Sequence, residues 1–307
     1  MLISTLAFSL MNVCVKALPA IPTAQLITFR VGISLLITGA LLYRAGMSPW
    51  GNNRVWLLVR GATGTCALWL YFITIKAMPL STAVALQYIS PLFAAILAPW
   101  FVGERMGLAQ WLYFGISFIG VLFLKGFDAN IGLVPLGLGL LSAFLTGITT
   151  NAIRRSKDTE NPLVVMLYLP IFALPISLTF TIVQWVPPVG WQWALLLLTG
   201  LCTQVNQYYT TKALQTDRID RVTYINYLGL VYAVIFGWAI FAEPITLANI
   251  GAMCLIVSGV LLNVLHGMRS IRRFRSHYHW VLRRGIMGQA LIRRRHSRAV
   301  AAAPPGV

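Results

Sequence analysis

The stretch LQYISPLFAAILAPWFVGERMGLA, residues 86–109, returns later in the chain as INYLGLVYAVIFGWAIFAEPITLA, residues 225–248. The two stretches align without a gap, and the offset between them is the one that separates Glu104 from Glu243. Each stretch carries an apolar run of about 20 residues, the length of a membrane-spanning helix, that ends in a single carboxylate. The chain is therefore predicted to contain two copies of one helical unit.

Composition places the chain in a membrane. Its 307 residues are 58% hydrophobic and 10% charged, with a mean hydropathy of +0.76. A water-soluble core of this size could not bury so much apolar surface. The net charge of +17 arises mainly in residues 266–307, which hold 10 of the 24 Lys and Arg and no acid. Such a basic tail does not indicate a nucleic-acid partner.

Ten apolar segments of roughly membrane-spanning length are separated by short loops rich in turn residues. They are predicted near residues 2–18, 24–43, 55–75, 80–102, 107–124, 131–151, 163–183, 190–211, 222–242 and 246–265. We predict an all-α polytopic membrane protein with ten transmembrane helices as two inverted five-helix repeats. The repeats cover residues 1–125 and 131–265, and residues 266–307 form a basic cytoplasmic tail.

Because five is odd, the second copy would enter the membrane from the opposite side, an architecture that recurs in secondary transporters. Loop charge predicts the orientation, since cytoplasmic loops carry an excess of Lys and Arg. With the N-terminus inside, the outer loops hold only Lys16, Lys76 and Lys125. The inner loops hold Arg44, Arg54, Arg105, Arg154, Arg155, Lys157, Lys212, Arg218 and Arg221. Both termini are therefore predicted in the cytoplasm, with the helices in a bacterial inner membrane.

Several passages resemble the drug/metabolite transporter superfamily, in particular transporters with two EamA domains. The resemblance covers about residues 1–265 and rests on the order and duplication of four passages. These are FRVGISLL (29–36), the stretch from YFITIKAMPL to FVGE (71–104), GISFIGVLFL (115–124) and the stretch from YYTTKALQT to IVSGVLL (208–262). The resemblance implies ten helices and transport of small organic molecules such as amino acids, sugars, nucleotide-linked metabolites or drugs.

Arg30 matches an arginine that the resemblance places in helix 2. It lies about six residues, roughly 9 Å, inside the outer end of that helix. A guanidinium at this depth is costly unless it faces a cavity or a partner. Arg30 is therefore expected to bind an anionic group of the substrate, to pair with Glu243, or to extend to the outer surface.

Glu104 and Glu243 match the glutamates that the resemblance places at the ends of helices 4 and 9. As gating groups they would pair with arginines at the inner end and with Arg30 or Lys76 at the outer end. The candidate inner partners are Arg44, Arg54 and Arg60. As structural groups they would end their helices and accept loop amides, at a depth where a charge costs little.

Neutral side chains supply the other candidates for a substrate cavity. Gln204, Gln207 and Tyr208 share one side of helix 8, because their spacing follows i, i+3 and i+4. They fit either a cavity wall or hydrogen bonds between packed helices. Further lining candidates are Trp69, Tyr71, Gln87, Tyr88, Asn226 and Tyr227, each of which packing would also explain. Pro91 and Gly229 are candidates for a bend in the backbone. Asn12 and Asn151 occupy loosely matching places in the two copies of the repeat.

The leading hypothesis is a secondary transporter that moves a small organic metabolite or drug by alternating access, as an exporter. An uptake or exchange carrier for amino-acid or nucleotide-linked substrates would place further basic groups in the cavity, and only Arg60 or Lys76 could supply them. A membrane scaffold or sensor that acts through the basic tail is a third hypothesis.

Catalytic and cofactor motifs are missing from the sequence, which has no P-loop, no Ser/His/Asp arrangement and no metal-ligand cluster. Neither an enzyme nor a cofactor or metal is therefore predicted. The expected partners are a small organic solute and the lipid bilayer, with anionic lipid at the tail. A homodimer is left open.

Overall fold

A computed structural model describes residues 2–101, 108–127, 132–216, 228–243, 246–248, 250–262 and 265. Every regular element in this part of the chain is a helix. The helices are α1 (Leu2–Lys16), α2 (Thr23–Arg44), α3 (Arg54–Ala77), α4 (Leu80–Gln87), α5 (Ser90–Phe101), α6 (Leu108–Phe127), α7 (Leu133–Arg155), α8 (Pro162–Val183), α9 (Trp191–Thr216), α10 (Leu228–Phe241) and α11 (Ile250–Leu262).

These helices fall on the apolar segments predicted from the sequence, with one difference. The fourth segment, predicted as one helix over residues 80–102, is divided into α4 and α5 at Tyr88 and Ile89. Pro91 explains the division, because it has no N–H to donate to the carbonyl of Gln87 and its ring clashes with that carbonyl in a straight helix.

Length and composition identify five spans that could cross a membrane, among the residues that the structure describes. They are Thr23–Arg44, Arg54–Ala77, Leu80–Phe101, Leu133–Arg155 and Pro162–Val183. The apolar helices α1, α10 and α11 are shorter. Large apolar side chains face outward, as in Leu36 (74% exposed) and Ile182 (71%). Exposed apolar side chains around buried polar ones are typical of a protein whose solvent is lipid.

Glu160 joins two loops at one end of the helices. Its carboxylate accepts the backbone N–H of Asn52 at 2.6 Å and that of Asn53. The loop before α3 is thereby tied to the loop before α8, where Asn161 also caps α8 by accepting the N–H of Leu163 at 3.0 Å. An Asn at this position satisfies one of the amides that the first turn of a helix leaves unpaired.

The other end of α2 and α3 is held by two further side chains. Lys76, one residue before the end of α3, donates to the carbonyls of Pro19 and Ile21, which precede α2. Gln25 in the first turn of α2 exchanges hydrogen bonds of 2.9 and 3.2 Å with the backbone of Val186. Since α3 ends beside the start of α2, these two helices run in opposite directions.

Packing occurs mainly between helices of the first and second halves of the chain. Helix α1 packs on α9, α2 on α8 and α9, α3 on α7 and α8, and α5 on α7. Hydroxyl groups join the halves, since Ser4 donates to Asn206 Oδ1 at 2.7 Å and Ser142 donates to the carbonyl of Ala67 at 2.8 Å. Residues 1–263 consequently form one compact unit.

Helices α6 and α11 approach each other through glycines. A Cβ atom on Gly120 would lie 2.9 Å from the carbonyl oxygen of Ala252 and from the amide nitrogen of Ile256. A Cβ atom on Gly259 would lie 2.8 Å from the amide nitrogen of Ser117. Neither position has room for a side chain. The two glycines let the backbones of α6 and α11 pack closely, as small residues do between membrane helices.

Replacing Gly120 by Leu is therefore expected to lower the thermal stability of the protein. The new side chain would meet the backbone of α11, which cannot yield as a flexible side chain can, and overpacking of this kind costs about 1–3 kcal/mol. Gly115→Leu is the matched control, because a Cβ on Gly115 meets nothing within 4 Å. Equal melting temperatures for the two variants in detergent would contradict the described packing of α6 on α11.

Candidate functional site

Buried polar atoms without a hydrogen-bond partner concentrate in the first three helices. Within the described part of the chain they are both amide atoms of Asn12, Nε of Arg30, Nε and Nη1 of Arg60, Nε1 of Trp69 and the hydroxyls of Tyr71, Thr82 and Thr203. Buried polar groups are normally paired, so each exception needs a physical reason. Arg30 interacts electrostatically with Tyr71 and with Arg60, and Asn12 lies beside the Tyr71 hydroxyl. We name these four residues the Arg30 cluster.

Arg30 lies seven residues after the start of α2 and is 7% exposed. Its guanidinium carbon lies 5.1 Å from the centre of the Phe72 ring on α3, a cation–π contact that partly offsets the loss of water. The side chain is buried, and Glu243 pairs with another residue. Extension to the outer surface and pairing with Glu243, two of the three expectations for Arg30, are therefore wrong.

Arg60 enters the cluster from α3 and is 5% exposed. Its Nη2 atom donates to Oε1 of Gln207 on α9 at 3.2 Å. The side chain runs along α3 past Gly64, where a Cβ atom would collide with Nη1. Because α3 begins at the end where α2 finishes, Arg60 and Arg30 reach the cluster from opposite ends of the helices.

Tyr71 and Asn12 complete the cluster between α3 and α1. The Tyr71 ring stacks on Phe8 with 5.9 Å between centroids and 9° between planes. Asn12 is 1% exposed and lies close to the Tyr71 hydroxyl, yet neither side chain completes a hydrogen bond of good geometry in the described structure. Each of these groups can both donate and accept, whereas a guanidinium only donates.

Two other aromatic candidates, Trp69 on α3 and Tyr208 on α9, have other neighbours. Trp69 packs edge-on against Phe180 of α8, with 5.6 Å between ring centroids. Tyr208 packs edge-on against Tyr209 at 5.4 Å, and the ammonium of Lys212 lies 5.6 Å from its ring centre. The structure thus brings only Tyr71 of the three predicted aromatic side chains on α3 and α9 into the Arg30 cluster.

Gln204 and Gln87 join helices in this conformation. Gln204 Oε1 accepts from Ser34 at 2.7 Å, and its Nε2 donates to Thr38 at 2.9 Å, so its amide ties α9 to α2. Gln87 Nε2 donates to Thr146 of α7 at 2.8 Å. Gln204, Gln207 and Tyr208, predicted on one side of helix 8, lie on α9 of the structure. Of these three, only Gln207 contacts the Arg30 cluster.

The break between α4 and α5 involves three of the predicted residues, Tyr88, Pro91 and Gly229. Tyr88 lies at the interruption between α4 and α5, and Pro91 lies in the first turn of α5. Gly229, in the first turn of α10, packs against the Tyr88 hydroxyl so closely that a Cβ atom would collide with it. Gly229 therefore permits a close contact between helices at this break.

Glu243, just after α10, joins three segments. Its Oε1 atom accepts from Lys16 Nζ at 2.5 Å and from the backbone N–H of Leu80 at 2.6 Å, and Ser81 donates to Oε2 at 3.4 Å. The carboxylate thus pairs with the end of α1 and caps the start of α4. The sequence predicted Arg30 or Lys76 as its partner. The partner is Lys16, since Arg30 is buried and Lys76 bonds to loop carbonyls.

Three predicted site residues, Glu104, Asn226 and Tyr227, lie outside the described residues, as does the basic tail, 266–307. Sequence reasoning named Arg60 only as a possible further basic group and Asn12 only by its match to Asn151, and neither was among the predicted site residues. The available signal for Arg60 was its depth, because it lies about 9 Å into its helix at 1.5 Å per residue. That depth matches the depth of Arg30.

Comparison with known proteins assigns the chain to a family. The model of the EamA-like transporter family matches residues 1–125 and again residues 134–265. The chain belongs to the EamA-like transporter family. The resemblance seen in the sequence is thereby confirmed. This EamA protein is an integral membrane protein and a small-molecule transporter, not an enzyme.

Named relatives of this EamA protein carry different solutes. The pseudopaline exporter CntI of Pseudomonas aeruginosa is 28% identical over 265 residues, covering 85% of this chain and 93% of the exporter. A riboflavin transporter of Rhizobium johnstonii is 30% identical, covering 89% and 92%. An S-adenosylmethionine uptake transporter of Rickettsia felis is 25% identical, covering 67% and 69%.

A solved crystal structure has the same fold. It superimposes with a TM-score of 0.62 at 21% identity and covers 87% of this chain and 98% of the other chain. At that identity the likeness concerns the fold alone.

Proposed function

We propose that this protein moves a small organic solute through the helix bundle by alternating access and binds it at the Arg30 cluster. One observation carries the proposal: two guanidiniums, an amide and a phenol are buried inside one apolar bundle with polar atoms that no described residue satisfies. Buried polar groups of this kind cost stability in any protein, and lipid offers them no water. A solute that pairs with them would explain why the chain keeps them.

Two inverted five-helix repeats, residues 1–125 and 131–265, are part of this proposal. If α1, α2 and α3 correspond to α7, α8 and α9, the packing of α1 on α9 becomes equivalent to that of α7 on α3. The same correspondence exchanges α2 with α8, so the contact between these two helices is mapped onto itself. All of these helix pairs are neighbours in the structure. Gly120 and Gly259, which pack α6 against α11, are related by the same offset as Glu104 and Glu243. Two related halves that rock around a shared site are a recurring transport device.

Export is the direction that we propose first, because CntI, a relative that matches over nearly its whole length, is an exporter. Uptake or exchange is the second candidate, since other relatives are uptake transporters. The position of Arg60 favours that candidate, because a second arginine in the cluster is what a carrier of amino-acid or nucleotide-linked solutes was expected to show. Lys76 does not reach the cluster.

The proposal places both termini in the cytoplasm of a bacterial cell and the helices in its inner membrane. The loop charges support this orientation. The basic tail would contact anionic lipid. The proposal is compatible with a monomer and with a homodimer. A transporter should keep its flux when residues 268–307 are deleted, whereas a scaffold or sensor that acts through the tail should lose its function.

Flux into proteoliposomes tests the proposal, with labelled amino acids, sugars, nucleosides and organic cations and anions as solutes. We expect Arg30→Ala to reduce flux per folded molecule at least about 10-fold, because it removes a charged contact worth about 1.5–3 kcal/mol. Gln204→Ala is the control, because its amide joins α9 to α2 and its loss should mainly lower the melting temperature.

Two outcomes would count against the proposal. No flux of any solute by folded wild-type protein would contradict transport under these conditions. Equal flux by wild type and Arg30→Ala would remove the Arg30 cluster from the solute path and leave the transport function itself intact.

A further inference from the structure

Among the described residues, no carboxylate pairs with either arginine of the Arg30 cluster. All seven Asp and Glu of the sequence lie outside the bounds of the described helices. The side chains that the structure places beside the guanidiniums are neutral, namely the Phe72 ring at Arg30 and the Gln207 amide at Arg60. Arg30 and Arg60 moreover carry charges of the same sign, so neither can neutralise the other. A charged group inside the hydrocarbon region is costly without a partner of opposite sign.

The unpaired atoms of the cluster are mainly donors. Nε of Arg30, Nε and Nη1 of Arg60 and Nδ2 of Asn12 can only donate, and the Tyr71 hydroxyl can donate as well. Only Asn12 Oδ1 and the Tyr71 oxygen can accept. A solute that is rich in hydrogen-bond donors would leave most of these atoms unpaired, whereas one rich in acceptors would pair them.

The geometry also brings the two positive groups toward each other. Arg30 reaches Phe72, which lies about 18 Å along α3 from Arg60 at 1.5 Å per residue. The Arg60 side chain runs past Gly64, in the direction of Phe72, and so lies along the stretch of α3 that separates the two arginines. An anionic group between them could accept from both, and charge-assisted hydrogen bonds to guanidinium are the strong ones.

We infer that the solute is an organic anion whose acidic oxygens, those of a carboxylate or a phosphate, are held between Arg30 and Arg60. This inference rests on the proposed function, because it names the chemical class of the solute at that site. It is independent of the direction of transport.

Binding of small probes to the purified protein tests the inference, with the melting temperature as readout because a ligand stabilises the state that it binds. The probes share one ring and differ in charge: benzoate and phenyl phosphate are anions, benzamide is neutral and benzylammonium is a cation. We expect the anions to bind at least about 10-fold more tightly than benzamide, as charge-assisted pairing predicts. The two anion arms distinguish a carboxylate from a phosphate site.

Arg30→Gln and Arg60→Gln should each abolish the preference for anions over benzamide. Arg155→Gln is the control, because it removes an exposed arginine at the end of α7 and should keep the preference. Arg30→Lys keeps the positive charge, so partial retention of the preference there would separate a charge effect from misfolding. Anion binding that is no tighter than benzamide binding, including no binding of any probe, would overturn the inference.

Flux of the same probes into proteoliposomes separates this inference from the proposed function. Flux of benzamide or benzylammonium without flux of either anion would overturn the anion assignment and keep the transporter. Anion binding without flux of any solute would keep the assignment of the cluster and contradict transport.

Discussion

Replacing Asn12 by Ala is expected to leave the protein at least as stable as the wild type while it reduces flux at least about 10-fold. Asn12 is almost completely buried, and neither of its amide atoms has a hydrogen-bond partner in the described structure. An unsatisfied buried polar group costs about 1–3 kcal/mol, so its removal should raise the melting temperature. Flux should fall because a donor and an acceptor of the Arg30 cluster are lost.

Asn151 provides a matched control, because the offset between Glu104 and Glu243 also relates Asn12 to Asn151, which is equally buried on α7. Its Nδ2 atom donates to the carbonyl of Ala94 at 2.8 Å. The change from Asn to Ala alters helix propensity equally at both positions, so only the hydrogen bond differs. Asn151→Ala should therefore lower the melting temperature with little loss of flux per folded molecule. Equal destabilisation by both variants would show that Asn12 is an ordinary structural residue.

The sequence predicted the positions of the helices well, because apolar segments of membrane-spanning length are a strong signal. The same reasoning placed Arg30 inside a helix and left open whether it binds the solute, pairs with Glu243 or extends to the outer surface. The constant offset found around Glu104 and Glu243 also relates Gly120 to Gly259, which pack against each other's helices. One internal repeat thus carried information about packing that no single motif contained.

The residues that make up the site were harder to predict, because they depend on which helix faces pack against each other. Gln204 and Gln207 lie on the same side of α9, yet Gln204 bonds to Ser34 and Thr38 while Gln207 bonds to Arg60. Spacing along one helix cannot distinguish these neighbours. Arg60 was named mainly as a candidate partner of Glu104 at the inner end, although it lies nearly two turns into its helix.

The partner of Glu243 depended on tertiary structure in the same way. Arg30, Lys76 and Lys16 were all expected near the outer end, so charge alone could not choose among them. The structure selects Lys16 because α1 ends beside α10, while the carbonyls of the loop before α2 bind Lys76.

Replacing Glu243 by Gln is expected to open this end of the bundle. The wild-type carboxylate joins Lys16 to the start of α4 while both side chains are largely shielded, at 18% and 11% exposure. Gln can still accept the N–H of Leu80, but it cannot pair with the charge of Lys16. A loss of about 1–2 kcal/mol, in the range of hydrogen bonds to charged groups, would raise the population of an open state roughly 5- to 30-fold.

A single cysteine at position 82 can report this opening. Thr82 is 1% exposed and lies in the first turn of α4, close to the segment that Glu243 caps. In a background with Cys14, Cys66, Cys202 and Cys254 replaced by Ser, the thiol of Thr82→Cys should react slowly with a water-soluble maleimide. Adding Glu243→Gln should accelerate the labelling about 5- to 30-fold, by the same population arithmetic.

Glu160→Gln is the control for general loosening of the fold. Glu160 also accepts backbone N–H groups, from Asn52 and Asn53, but it does so at the end of α3 opposite to Lys76. It should lower the melting temperature without accelerating labelling at position 82. Equal acceleration by both variants would mean that the thiol reports partial unfolding. Unchanged labelling in Glu243→Gln would mean that the Lys16–Glu243 pair does not hold this end closed.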